Sequence, residues 1–110
     1  MMNEKLLSLL GIARRAGRLS LGFDAAADAI KNGKSSLLLL ACDLSPRSLG
    51  SIGYIAEQAG VPVRQISATM EQLGIAIGKQ QTGIISVNDS GFAKKLHTLC
   101  ADQQTGGMVV

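Results

Sequence analysis

Three arginines, Arg14, Arg15 and Arg18, stand just before a glycine-led turn at Gly22, and two lysines, Lys31 and Lys34, follow it. Five of the eleven Lys and Arg residues thus fall between positions 14 and 34. The chemistry open to such a cluster is anion binding. Residues Leu19 to Asp28 read as a short strand that stops at Gly22 and turns directly into a helix. A helix N-terminus carries unpaired N–H groups and the positive end of the helix dipole, so it suits an anion. Cations on both sides make phosphate the expected anion, and an RNA backbone its expected source. Gly22 would let that backbone approach closely, with Lys79 joining the cations that hold it. Composition alone favours a plainer account, in which the arginines are a solvated helix end whose charge suits the C-terminal dipole.

Covalent chemistry has little to work with. The single histidine, His97, sits beside Leu96 and Leu99 on the last expected helix, and no serine and acid can be assembled around it. The two cysteines, Cys42 and Cys100, are far apart, have no CxxC spacing and have no histidine nearby in sequence. Metal ligands at usable spacing are absent, and no metal or cofactor is expected. Gly74 to Lys79 resembles a phosphate loop but is one residue short and lacks the following Ser or Thr. It reads instead as a close packing contact at Gly74 and an exposed Lys79. Only three aromatics are present, Phe23, Tyr54 and Phe92, too few for a platform that stacks single-stranded bases. Shape recognition of a folded RNA needs fewer. Phe23 reads first as core and second as a cover for an exposed base.

Composition sets the frame for these residues. In 110 residues, 46% are apolar and 17% charged, which describes one globular domain with a real core. The net charge of +3 is compatible with nucleic acid without requiring it. Two unspaced cysteines and no signal-peptide pattern point to reduced thiols and a cytoplasmic location. The longest apolar run, Leu37 to Cys42, fits a buried strand and is far too short for a bilayer.

Helices alternate with strands along the chain. Asn3 caps an amphipathic helix to Ala16, with Leu6, Leu7, Leu10, Ala13 and Ala16 apolar at three- and four-residue spacing and Gly17 as its stop. Leu19 to Leu21 is a strand, and Phe23 to Asn32 a second helix ended by Gly33. Ser36 to Ala41 reads as a central strand covered on both faces. Ser45 and Pro46 open a third helix that stops at Gly60. Val61 to Ile66 follows, where Pro62 marks a strand start or an edge. Thr69 to Ile77 is a short helix, Gly78 to Thr82 a polar loop, and Gly83 to Val87 a strand. Asn88 to Ser90 caps a last helix from Gly91 to about Leu99. Residues 101–110 lack periodicity and read as a flexible C-terminal tail. This alternation implies a three-layer α/β/α sandwich with one mixed, four-stranded sheet, a single domain over residues 1–100.

The run from Ala13 to Gly22 (ARRAGRLSLG) and that from Ala29 to Leu37 (AIKNGKSSL) resemble the kink-turn-binding ribosomal proteins, the L-seven-Ae / L-thirty-e superfamily. The likeness continues through Ala41-Cys42-Asp43, Val61-Pro62-Val63, Leu73 to Lys79 and Asp89 to Ala93, and looks closest to the short bacterial members. It implies the same α/β/α fold and binding to a sharply bent RNA internal loop with sheared G·A pairs. It also implies that Gly22, Phe23, Asp24 and Ala25 enter the RNA major groove. The loop Lys79-Gln80-Gln81-Thr82 would cover a flipped-out base. In the register set by Gly22 and Gly33, the family's Asn-Glu pair falls on Asp24 and Ala25, and its phosphate-binding lysine on Asp28. Asp24 can accept hydrogen bonds from guanine N1–H and N2–H₂, whereas Asp28 repels phosphate. A purely structural account has Asp24 supporting the helix dipole and Asp28 pairing with Lys31.

The function expected is therefore a non-enzymatic RNA-binding protein of ribosomal-protein type. Its partner would be a structured RNA, with ribosomal RNA among the candidates and no membrane; oligomeric state stays open. The alternative is a protein-interaction module that keeps the fold without specific RNA binding. A substrate-binding piece of an RNA-modifying enzyme ranks third, since the chain has no room for a catalytic domain.

Overall fold

The structure, a computed structural model, describes residues 4–108, with side chains described for residues 4–100. Its elements alternate as α1 (Glu4–Arg15), β1 (Leu19–Leu21), α2 (Phe23–Lys31), β2 (Leu37–Leu40), α3 (Pro46–Ala59), β3 (Val63–Gln65), α4 (Met70–Ile77), β4 (Ile84–Val87) and α5 (Ser90–Met108). The four strands form one sheet in the order β1-β4-β2-β3. Strand β2 runs parallel to β3 and antiparallel to β4, and β1 runs antiparallel to β4. The sheet is mixed, and β1 and β3 are its edges.

Successive strand residues face opposite ways, and here both ways lead to helices. Leu37, Leu39, Ile85 and Val87 pack with Leu6 and Leu10 of α1, Leu73 and Ile77 of α4, and Leu96 and Cys100 of α5. Leu38, Leu40 and Ile84 pack on the other face with Ala26 and Ile30 of α2 and Ile52 and Ala56 of α3. Each of the four β2 residues is therefore buried. The result is the α/β/α sandwich, with α2 and α3 on one face and α1, α4 and α5 on the other.

Helix ends fall where capping chemistry puts them. Ser45 accepts the Ser48 N–H at 3.2 Å with Pro46 at the first helical position, and Gly60 ends α3 at φ +72°. Thr69 and Gln72 form a reciprocal capping box on α4. Asp89 accepts the Phe92 N–H at 2.8 Å and starts α5.

Two boundaries differ from the sequence reading by more than one residue. Strand β3 is only Val63–Gln65, because Pro62 has no N–H to donate and contributes only its carbonyl, to Leu38 N–H at 2.9 Å. Helix α5 continues through Met108 rather than ending near Leu99. Ala, Gln and Asp after Cys100 permit a helix without giving an apolar stripe, so periodicity misses it. The expected tail over 101–110 thus overlaps α5 as far as Met108. Asn3, read as the first cap, lies outside the described residues, as do 109 and 110.

Candidate nucleic-acid interface

Strand β1 ties the candidate residues to the sheet. At one end the Gly22 N–H donates to the Ile84 carbonyl at 2.9 Å. At the other, Asn88 N–H donates to the Arg18 carbonyl at 2.8 Å. Between them the register pairs Leu19 with Val87 and Leu21 with Ile85. Four residue-to-residue steps of extended chain take Arg18 to Gly22, or about 13 Å. The site therefore has two ends along the β1 edge of the sheet.

The first end is the tip of α2. Gly22 adopts φ 90° and ψ 169°, a combination open almost solely to glycine, and caps the helix with no side-chain hydrogen bond. Asp24 stands in the first turn. Phe23 is 36% exposed and outside both core clusters, so it is not the core residue that its type suggested. Outward from this tip, Asp24, Asp28 and Lys31 are all exposed at helical spacing, two acids followed by a cation. No ion pair joins Asp28 to Lys31 among the described residues.

The loop 78–83 enters β4 at this same end. It folds back on α4, with Lys79 N–H donating to the Gly74 carbonyl at 2.8 Å and Thr82 N–H to the Met70 carbonyl at 3.1 Å. Gly74 is buried, and a Cβ there would strike the Gln80 carbonyl, so this glycine is the close contact that the sequence suggested. Lys79, Gln80 and Gln81 are exposed, and with Glu71 and Gly78 they line an open cleft of about 840 Å³. No α2 residue lines that cleft. The loop and the helix tip share a sheet end without touching across a cavity. Thr82 Oγ1 is buried in the loop with no hydrogen-bond partner.

At the second end, α1 and α2 finish with basic residues on opposite faces of the sheet. Gly17, at φ +72°, turns the chain so that Arg18 N–H reaches back to the Ala13 carbonyl at 3.0 Å, under the last turn of α1 with Arg14 and Arg15. Lys31 ends α2, and the chain from Lys34 reaches the sheet where Ser36 N–H donates to the Val87 carbonyl at 2.7 Å. All five side chains are exposed. Arg15 is the outlier, since its guanidinium lies back along α1 beside Gly11.

A buried polar chain holds this second end together, built from residues that no local sequence pattern connects. Ser86 is fully buried on β4. Its hydroxyl has one proton, which it donates to Asn88 Oδ1 at 2.7 Å while accepting from the Ser35 hydroxyl at 2.7 Å. Asn88 Nδ2 donates in turn to Ser20 Oγ at 2.7 Å. The chain links β1, β4 and the loop that carries Lys34.

The lone histidine has a structural partner. Arg64 on β3 donates to His97 Nε2 at 3.2 Å, which requires the imidazole proton on Nδ1 and fastens α5 to the sheet edge. Burial raises the Cys100 thiol above its ordinary value, opposed by the positive charge of Arg64. No group of three His, Cys, Asp or Glu side chains converges on a metal position among the described residues. Among the described residues no helix is long and apolar enough to cross a membrane.

The model of the ribosomal protein L7Ae/L30e/S12e/Gadd45 family matches residues 4–97. The chain belongs to that family. It is 33% identical to RNA-binding protein YlxQ of Bacillus subtilis, across 83% of this chain and 90% of that protein. It is 29% identical to the large ribosomal subunit protein eL30 of Dictyostelium discoideum, across 89% of this chain and 88% of that one. Among solved structures it is similar to a Bacillus halodurans protein of unknown function, with a TM-score of 0.84 and 34% identity, covering 88% of this chain and 97% of the other. A Giardia lamblia 15.5kD RNA binding protein shares the fold with a TM-score of 0.76 at 20% identity, over 94% of this chain and 88% of its own. The membership places the chain among proteins of ribosomal-protein type rather than among enzymes.

Proposed function

We propose that this protein binds a structured RNA containing a kink-turn or a similarly bent internal loop, in the cytoplasm and as a non-enzymatic component. The observation that carries the reading is the continuity of the β1 edge. One hydrogen-bonded strand joins a glycine-opened helix tip to Arg18 about 13 Å away, at the sheet end where α1 and α2 finish with further exposed cations. A bent RNA can lay one stem along that edge. Gly22, Phe23 and Asp24 would set register at the bend, Asp24 by accepting from a guanine edge. Arg14, Arg18, Lys31 and Lys34 would neutralise phosphates, with Arg15 behind them along α1. Lys79, Gln80 and Gln81 would cover the base turned out at the bend.

The relatives support the reading, since one is named for RNA binding and another for its place in the large ribosomal subunit. The test is to titrate a kink-turn RNA and a fully paired duplex at several salt concentrations. Three or four phosphate contacts give a log–log salt slope of roughly −3. Equal affinity for the two RNAs would remove the bend-specific part of the reading.

A further inference from the structure

On the face of the sandwich opposite α2, helix α1 presents an outer stripe that the core does not use. Its inward residues Leu6, Leu10 and Ala13 are fully buried. Its outward residue Ile12 is 47% exposed, and Ile75 on neighbouring α4 is 74% exposed. Both line one groove between α1 and α4, of about 560 Å³, which is shallow because Gly11 lets α1 close on the Ala76 carbonyl. On the other flank of Ile12 a second groove, of about 870 Å³, runs between α1 and α5 over Leu9 and Leu99. Ile12 lines both, so the two form one apolar surface across α4, α1 and α5. Scattered exposed apolar residues need no explanation, but a contiguous patch at a helix groove does.

The rim of this surface carries a sign. Lys5, Lys94 and Lys95 border the α1/α5 groove and Arg15 the α1/α4 groove, against a single acid, Glu4. We propose that this surface docks an acidic amphipathic helix of a partner protein, apolar face down over Ile12 and Ile75. Helix-in-groove recognition requires an apolar floor and flanking charges opposite to those of the ligand helix, and both are in place. A second copy of the chain would bring the same cations face to face and be repelled. A nucleic acid would leave the isoleucines uncovered and would find no ring to stack on, since no aromatic residue lines either groove.

The probe is a fluorescent synthetic helix of about 18 residues, ~27 Å long, against molecular dimensions of 35 × 31 × 26 Å. It carries leucines at three- and four-residue spacing and glutamates elsewhere; a control peptide has lysine in place of glutamate. Anisotropy with the full chain is expected to show saturable binding of the acidic peptide, weakened by salt, and none of the basic one. Ile12→Glu and, separately, Lys94→Glu with Lys95→Glu each weaken it by ~10-fold or more. All three positions are exposed, so the variants keep the fold, which circular dichroism checks. Arg14→Glu with Arg18→Glu leaves peptide binding unchanged.

Equal binding of the two peptides, or affinity retained in both groove variants, overturns the proposal. So does a dimer that Ile12→Glu disperses, which makes a second copy the occupant. Displacement of the peptide by duplex RNA overturns it in favour of nucleic acid. A change in the amide signals of residues 101–110 in Ile12→Glu alone assigns the face to the chain's own C-terminal residues and has the same consequence.

Discussion

Gly22 and the two cysteines show how far single positions can be argued from their surroundings. Gly22 has nothing within 4 Å of where a Cβ would stand, so its requirement is one of backbone conformation alone. Gly22→Ala is expected to cost ~1–3 kcal/mol, read from the urea midpoint, with no clash to relieve. Cys42 is exposed and Cys100 is buried. An aromatic disulfide reagent should therefore titrate one thiol in the native chain and a second only in denaturant. Because burial raises the Cys100 thiol, the folded chain holds that proton more tightly than the unfolded one. Its contribution is intact below the ordinary thiol value and is lost as pH climbs from there through the raised value of the folded chain; Cys100→Val should flatten that alkaline decline in the urea midpoint. His97, by contrast, could not be assigned from sequence, since Arg64 lies 33 positions away and nothing local announces the contact.

Among elements, those legible in sequence are the ones whose ends carry their own chemistry. Ser45 with Pro46, Thr69 with Gln72, and Gly60 each mark a boundary that the structure keeps to within a residue. Helix α5 lacks such a stop and runs on to Met108. The close contact at Gly74 was also legible, but its partner was not. That partner is the Gln80 carbonyl, so Gly74→Ala has to push the loop 78–82 off α4. We expect this variant to lose ~1–3 kcal/mol of stability and to weaken RNA binding while binding at the α2 tip persists; footprinting of the bent RNA would separate the two contacts. The polar chain through Ser86 is a second coupling between elements. Ser86→Ala leaves Asn88 Oδ1 without its donor and should cost ~1–3 kcal/mol, measured by thermal unfolding, with β1 amides losing exchange protection first.

Across the whole molecule, the sequence yields the layers but not the order of strands. Alternating elements specify helices on both faces of a sheet. Nothing in them says that β1 lies beside β4, and it is this pairing that sets Gly22 and Arg18 at two ends of one edge. Arg18, next to the helix tip in sequence, stands at the far end of β1 from Gly22 for the same reason. Reversing Arg14 and Arg18 to Glu should abolish RNA association at moderate salt while lowering the melting temperature only slightly, since both side chains are exposed and Arg14 loses only its dipole interaction at the end of α1, about 0.3–1 kcal/mol. The β1–β4 pairing also has a consequence for how the protein is made. Residue 19 waits for residue 87 before its strand has a neighbour, and the N–H of Gly22 waits for Ile84. Long-range closures of this kind come late in folding. A nascent chain whose residues beyond 80 are still inside the ribosome tunnel thus has no finished β1 edge, which completes only once residues 84–87 have emerged.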